Sequence, residues 1–139
     1  MRLNSHSRLN LILALQDAMR QGGDEALMLD PHGHVSSCNA TNFFWIRDGA
    51  VYTSGGAFCF NCITRANVMA LCRANEIPLR AGDYTLDHAH AADEAFVTGT
   101  LGGVTPVRAL DGHTMAVPGP VTARLRDVYA ALMDADAAA

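Results

Sequence analysis

The sequence contains no lysine; all ten of its basic residues are arginines. A guanidinium stays protonated at any ordinary pH and is no amine nucleophile, so these 139 residues exclude chemistry that starts from a side-chain primary amine. An excess of positive charge is also missing. Fourteen acidic residues against ten basic ones leave a net charge of −4, and nucleic acid is not an expected partner. No apolar run approaches the roughly 20 residues needed to cross a bilayer, since Leu9 to Leu15 is far too short. Arg2 and Arg8 are followed by neither a long apolar core nor a cleavage site, so no signal peptide is expected, no membrane, and a cytoplasmic address. Charged residues make up only 17% against 50% hydrophobic, which argues against disorder and predicts one domain, residues 1–139, with a real core.

What is present in small number also limits the function. Four cysteines include one CxxC pair, Cys59 and Cys62, with His32, His34 and Cys38 upstream and Cys72 downstream. A second CxxC, or a Cys/His pair at finger spacing, is what a structural zinc site needs, and neither occurs. Cys72 falls in a helical run as a small hydrophobe. No βαβ pattern is read ahead of the CxxC, so a thioredoxin-like redox pair is not expected either.

Along the chain, a helix is predicted from Arg8 to about Gln21, stopped by Gly22-Gly23. Glu25 to Leu29 and His34 to Cys38 read as strands around the turn Asp30-Pro31-His32-Gly33. Asn42 to Arg47 is a stronger strand, joined by Asp48-Gly49, the best hairpin signal, to Ala50-Val51-Tyr52-Thr53. A glycine-containing loop leads to an amphipathic helix from Thr64 to about Asn75. A strand over Ile77 to Arg80, a short helix over Leu86 to Ala92 and a strand over Glu94 to Thr98 follow. Thr105 to Leu110 reads as one strand, Asp111-Gly112 as a hairpin turn, and Val121 to about Met133 as the last helix, with a frayed tail beyond it. Hairpins interrupted by helices predict an α+β fold with mostly antiparallel pairing.

Two loops carry candidate chemistry. Thr98-Gly99-Thr100-Leu101-Gly102-Gly103-Val104-Thr105 gathers glycines and hydroxyls between two strands. Glycine lets several backbone N–H groups approach one anion there, or it serves only the turn. Phe60-Asn61-Cys62-Ile63-Thr64-Arg65 opens a helix, whose first N–H groups and dipole favour an anion. Thr64 could equally be a plain N-cap. Together the loops suggest a phosphate held between a helix end and a glycine turn.

Several further segments stand in a characteristic order: Glu25 to Asp30, Val35 through Asn42-Phe43-Phe44, Asp48 to Thr53, Ile63-Thr64-Arg65, Ala92 to Thr100, Val104 to Arg108 and Asp111-Gly112. In these, from about Leu9 to Tyr129, the chain resembles the C-terminal, larger domain of class IV aminotransferases, the fold-type IV pyridoxal-phosphate enzymes. The group includes branched-chain and D-amino-acid aminotransferases and aminodeoxychorismate lyases. The resemblance implies pyridoxal 5'-phosphate as cofactor, with its phosphate against Ile63 and Thr64 in one loop and Thr100 and Leu101 in the other. It implies an amino acid and a 2-oxo acid as substrates when an N-terminal domain completes the site, and a homodimer. The family usually has glycine where Cys62 stands.

Two departures bear on activity. The family's Schiff-base lysine belongs just before the first helix, where this chain has Arg2-Leu3-Asn4 and Arg8-Leu9-Asn10. Without the amine, both the covalent step and the proton shuttle are lost. The family also commonly places a glutamate against the pyridine nitrogen where Ser37 stands. A neutral hydroxyl can hydrogen-bond that nitrogen but cannot stabilise its positive charge. The smaller N-terminal domain has no counterpart in these residues, so the expectation is a truncated fragment, inactive by itself. The alternative is a degenerate domain that binds a phosphate ligand or a partner subunit.

Overall fold

The computed structural model describes residues 8–139 of the chain. In order, these form α1 (Leu9–Arg20), β1 (Leu27–Leu29), β2 (Val35–Cys38), β3 (Asn42–Arg47), β4 (Ala50–Ser54), α2 (Ile63–Ala74) and β5 (Leu79–Gly82). Then come α3 (Leu86–His90), β6 (Glu94–Gly99), β7 (Gly103–Pro106), β8 (Ala109–Leu110), β9 (His113–Thr114) and α4 (Pro120–Ala138). Among the described residues no helix is long and apolar enough to cross a membrane.

The main sheet has the order β5-β4-β3-β6-β7. Its central strand is the one whose sequence can bear burial on both faces. Phe44 and Ile46 point into one cluster with Val51, Phe96 and Leu125, while Phe43 and Trp45 point into another with Val35, Cys38 and Ala95. A continuous aromatic and β-branched run suits such a strand better than strict alternation. On the first face Phe44 stacks on Phe96 with ring centroids 4.9 Å apart, beneath Val68 and Cys72 of α2 and Leu125 of α4. On the second face α3 and the two-stranded β1–β2 ribbon supply the cover.

Both Asp-Gly turns take the conformation their sequence predicts. Asp48 and Gly49 have φ of 50° and 75°, and Asp111 and Gly112 have 49° and 81°. Positive φ at both central residues is the type I′ signature that matches strand twist. The register follows, with Arg47 opposite Ala50 and Leu110 opposite His113.

Three expectations are corrected. The strand read over Thr105 to Leu110 is divided into β7 and β8, because after Val107, whose N–H still donates to the Ala95 carbonyl at 2.8 Å, the chain leaves β6 and pairs with β9 instead. The tail read as frayed continues α4 to Ala138, in keeping with the helix propensity of alanine. The CxxC does lie inside a βαβ unit, because β4 and β5 are parallel neighbours joined through α2. The strand expected over Ile77 to Arg80 is there as β5, shifted to Leu79–Gly82, but it is an edge strand with two exposed residues and no apolar alternation, so its parallel pairing left no sign in the sequence.

His88 ties α3 to the second core face. Trp45 Nε1–H donates to its Nδ1 at 2.9 Å, which requires that nitrogen unprotonated. Burial, and secondarily the charge of Arg47, hold the His88 pKa below its ordinary value. The folded state therefore releases this proton more readily than the unfolded chain. Its contribution to stability is complete above the unfolded-state value of about 6.5 and is lost as pH falls below that. Denaturant midpoints measured between about pH 7 and 5.5 are expected to fall less steeply for His88→Gln, which keeps an acceptor for Trp45, than for the parent chain. Equal slopes would remove His88 as the cause.

Candidate functional site

Three strand ends meet at one end of the main sheet. β3 is antiparallel to both its neighbours, so its first residue, Asn42, lies opposite Thr98 of β6, and Phe44 lies opposite Thr53 near the end of β4. Both candidate loops leave from this end. The connection from β4 to α2 is fastened there by side chains of other strands. Asn42 Nδ2 donates to the Phe60 carbonyl at 2.8 Å, and Ser36 Oγ of β2 donates to the Phe58 carbonyl at 2.8 Å.

The start of α2 is open. Cys62 is its N-cap, with φ −77° and ψ 150°, yet no side chain caps the helix and no acidic residue stands in its first turn. Ala66 N–H closes the first turn on the Cys62 carbonyl at 3.1 Å, leaving the Ile63 and Thr64 N–H groups for an outside acceptor. α4 makes the contrast. Its first residue is Pro120, without an N–H, and the Glu94 carboxylate accepts from Val121 N–H at 3.2 Å and Thr122 N–H at 2.8 Å. One helix is closed by the protein's own carboxylate, and the other has no side-chain cap.

Arg65, in the first turn of α2, is 6% exposed. Its guanidinium folds back toward the preceding loop, donating from Nη2 to the Ser54 carbonyl at 2.7 Å and from Nη1 to Asn61 Oδ1 at 3.1 Å. Nε is buried without a hydrogen-bond partner. Both acceptors are neutral, and no ion pair among the described residues includes Arg65.

The second loop is a three-residue hairpin, Thr100-Leu101-Gly102, between paired Gly99 and Gly103. Gly103 has φ 59°, and a Cβ there would meet Tyr129 of α4 at 3.0 Å. The turn thus needs this glycine for conformation and packing alike. Thr105 Oγ1 donates to the Gly102 carbonyl at 3.2 Å, and a Cβ on Gly102 would lie 2.8 Å from that hydroxyl oxygen.

The site residues read from sequence are therefore placed as follows. Thr64 is buried while Ile63 is 72% exposed, so Ile63 can offer an anion only its backbone N–H. Thr100 is exposed and Leu101 fully so. Ser37 lies on β2, next to the serine that binds the Phe58 carbonyl, and is partly exposed. Ile63, Thr64, Thr100 and Leu101 belong to loops leaving the same end of the sheet. Arg8 is exposed just before α1, where its carbonyl accepts from Ile12 N–H at 2.9 Å, and no side-chain contact brings it to these loops. Arg2 lies outside the described residues. A wide groove between α1 and β7 is lined by Ala18, Leu27, Val97 and Arg108 among others, but by none of Ser37, Ile63, Thr64, Thr100 and Leu101. An anion is held by N–H groups rather than by volume, so the candidate site is the open start of α2 and not this groove.

Sequence reasoning gave no role to Asn42, Ser36, Asn61 or the Arg65 side chain. Each acts on a residue that only the fold brings near, except Asn61, four residues from Arg65.

The four thiols are free, and among the described residues no group of three His, Cys, Asp or Glu side chains is gathered to hold a metal. Burial, with the nearby Glu25 charge adding to it, pushes Cys38 up to about 12, and burial pushes Cys72 up to about 11. Cys59 is 2% exposed, whereas Cys62 is partly open at the α2 start. Since thiolate is the reactive form, alkylation of the native chain followed by peptide mapping is expected to mark Cys62 first and the other three slowly. Labelling of Cys38 or Cys72 at the rate of Cys62 would contradict their placement.

Residues 2–110 match the amino-transferase class IV family. The chain is 42% identical over 123 residues to the branched-chain-amino-acid aminotransferase of Pseudomonas aeruginosa, covering 87% of this chain and 40% of that protein. It is 35% identical over 130 residues to the D-alanine aminotransferase of Listeria monocytogenes, covering 91% of this chain and 45% of that one. Among solved structures, it is similar to the branched-chain aminotransferase of the thermophilic archaeon Thermoproteus uzoniensis with norvaline. The TM-score is 0.82 and the identity 34%, over 88% of this chain and 41% of that one. The chain thus spans less than half the length of these relatives. With its α+β fold and with more than half its length matched, the chain belongs to the class IV aminotransferases.

Proposed function

We propose that this chain supplies the phosphate-binding part of a pyridoxal 5'-phosphate site, in an enzyme that transfers amino groups between an α-amino acid and a 2-oxo acid. The observation that carries the reading is the open start of α2, lying at the same end of the sheet as the Thr100–Gly102 turn. A dianionic phosphate suits unpaired N–H groups at a helix start. Ile63 and Thr64 offer theirs, and Thr100 and Leu101 add a hydroxyl and further N–H groups from the opposite loop. Ser37 would face the pyridine nitrogen with a neutral hydroxyl, which orients the ring but holds no positive charge against it. When bound, pyridoxal phosphate supplies the electron sink for chemistry at the amino acid's α-carbon. These residues fit the phosphate but provide no covalent anchor, because none of the 139 is lysine. On this reading the chain by itself binds the cofactor reversibly. Aminotransferases acting on branched-chain amino acids and on D-alanine are both among its relatives; the greater identity of the former favours a branched-chain amino acid as substrate.

The test compares pyridoxal phosphate with pyridoxal, which differs only by the phosphate, in fluorescence titrations of the purified chain. Pyridoxal phosphate is expected to bind at least about tenfold more tightly, the scale of one or two charge-assisted hydrogen bonds. Equal affinities would sink the reading. A second reading, a non-catalytic binding domain, is favoured by the missing amine and makes the same binding prediction; turnover separates the two.

A further inference from the structure

We propose that Arg65 is the positioning residue of the anion seat at the start of α2: its guanidinium sets the turn before the helix and supplies the positive charge behind it that selects a dianion. The inference rests on the reading that this helix start holds a phosphate, and it assigns a role to a residue outside the two sets of N–H donors.

Three observations carry it. Arg65 is 6% exposed, so its charge has left water. Burying a charge is costly unless it is compensated, and the described ion pairs offer Arg65 no carboxylate. Its partners are a carbonyl and an amide oxygen, and its Nε has none at all. A positive charge kept this way is compensated when an anion occupies the donors beside it. The third observation is location. The side chain of a residue in a helix's first turn leans toward the N-terminus, and here Nη1 and Nη2 reach Asn61 and Ser54, the two ends of the loop that precedes α2. The same fork that carries the charge thereby fixes the loop from which Ile63 and Thr64 present their N–H groups.

A planar fork with a fixed charge does both tasks, whereas lysine keeps the charge without the fork. Arg65→Met removes both, and Arg65→Lys separates them. Asn61→Ala, at an exposed position, loosens the fork and leaves the buried charge in place, so it serves where the Arg65 variants fail to fold.

The readout is ligand-dependent stability, with inorganic phosphate as probe, beside the titrations with pyridoxal phosphate and pyridoxal. Inorganic phosphate is expected to raise the melting temperature of the parent chain, to have little effect on Arg65→Met and to act in between on Arg65→Lys and Asn61→Ala. In parallel, the preference for pyridoxal phosphate over pyridoxal should fall about tenfold in Arg65→Met with pyridoxal affinity unchanged. A purely structural arginine would lower every melting temperature yet leave the phosphate response and the preference ratio as they were, and that result would overturn the proposal. So would a phosphate response absent from the parent chain. If the parent responds to inorganic phosphate through Arg65 but binds pyridoxal phosphate no better than pyridoxal, the cofactor assignment fails and the role of Arg65 stands.

Discussion

Mixed with pyridoxal phosphate, an α-amino acid and a 2-oxo acid, the 139-residue chain is expected to transfer amino groups no faster than the free cofactor does. The family's chemistry asks one primary amine both to hold the cofactor and to carry a proton to and from the substrate's α-carbon. No side chain in the sequence supplies it. The ten arginines keep their protons and their guanidinium resonance, so neither Arg2 nor Arg8 can substitute. General acid–base catalysis alone contributes about 10²–10⁴-fold, and the covalent step is lost in addition. On the function proposed above, Ser37 would compound the effect by leaving the ring nitrogen without a counter-charge. A coupled assay for the new amino acid reads this directly. Turnover well above the free cofactor would show that another group performs the lysine's work, and would favour an active enzyme over a binding domain.

Replacing Gly119 by alanine is expected to destabilise the fold by about 2–4 kcal/mol, the sum of overpacking and a lost helix cap. The residue has φ −74°, so no backbone conformation forbids a side chain. Space does. A Cβ there would collide with Glu94 Cδ and Oε2, and Glu94 is 3% exposed. Displacing the carboxylate leaves the Val121 and Thr122 N–H groups unpaired, at the start of the 19-residue helix that supplies Leu125 and Tyr129 to the core. Tyr129 also packs on Gly103, so the damage reaches the turn that carries Thr100 and Leu101. Thermal melts should show a fall of roughly 10 °C. In a Glu94→Ala background the same substitution should cost much less, because the atoms it strikes are gone. Additive losses would disprove the steric account.

The sequence by itself determined the features that depend on near neighbours. Both Asp-Gly turns were legible because positive φ at two successive positions is a local demand that these residues meet cheaply. The central strand was legible because Phe43 to Ile46 leaves no polar face to show to water. The missing lysine needs no structure at all. The family was legible too, since its motifs are ordered along the chain, and the loops it pointed to leave the same end of the sheet.

Tertiary structure decided what depends on distant partners. The parallel β4–β5 pair is made by an edge strand with little apolar pattern of its own. Glu94 looked like the first polar residue of a strand and is the cap of a helix that starts 26 residues later in the chain, at Pro120. Asn42 and Ser36 hold a loop that lies 18 and 22 residues away. Arg65 read as one charged residue on an amphipathic helix, and folding buries it with no counter-charge among the described residues. Propensity and periodicity report on a residue's neighbours in the chain, whereas burial and hydrogen-bond satisfaction are fixed only when separate segments meet. That is why the glycine turn and the helix start could be found in the sequence as two possible anion sites, while the buried charge beside one of them could not.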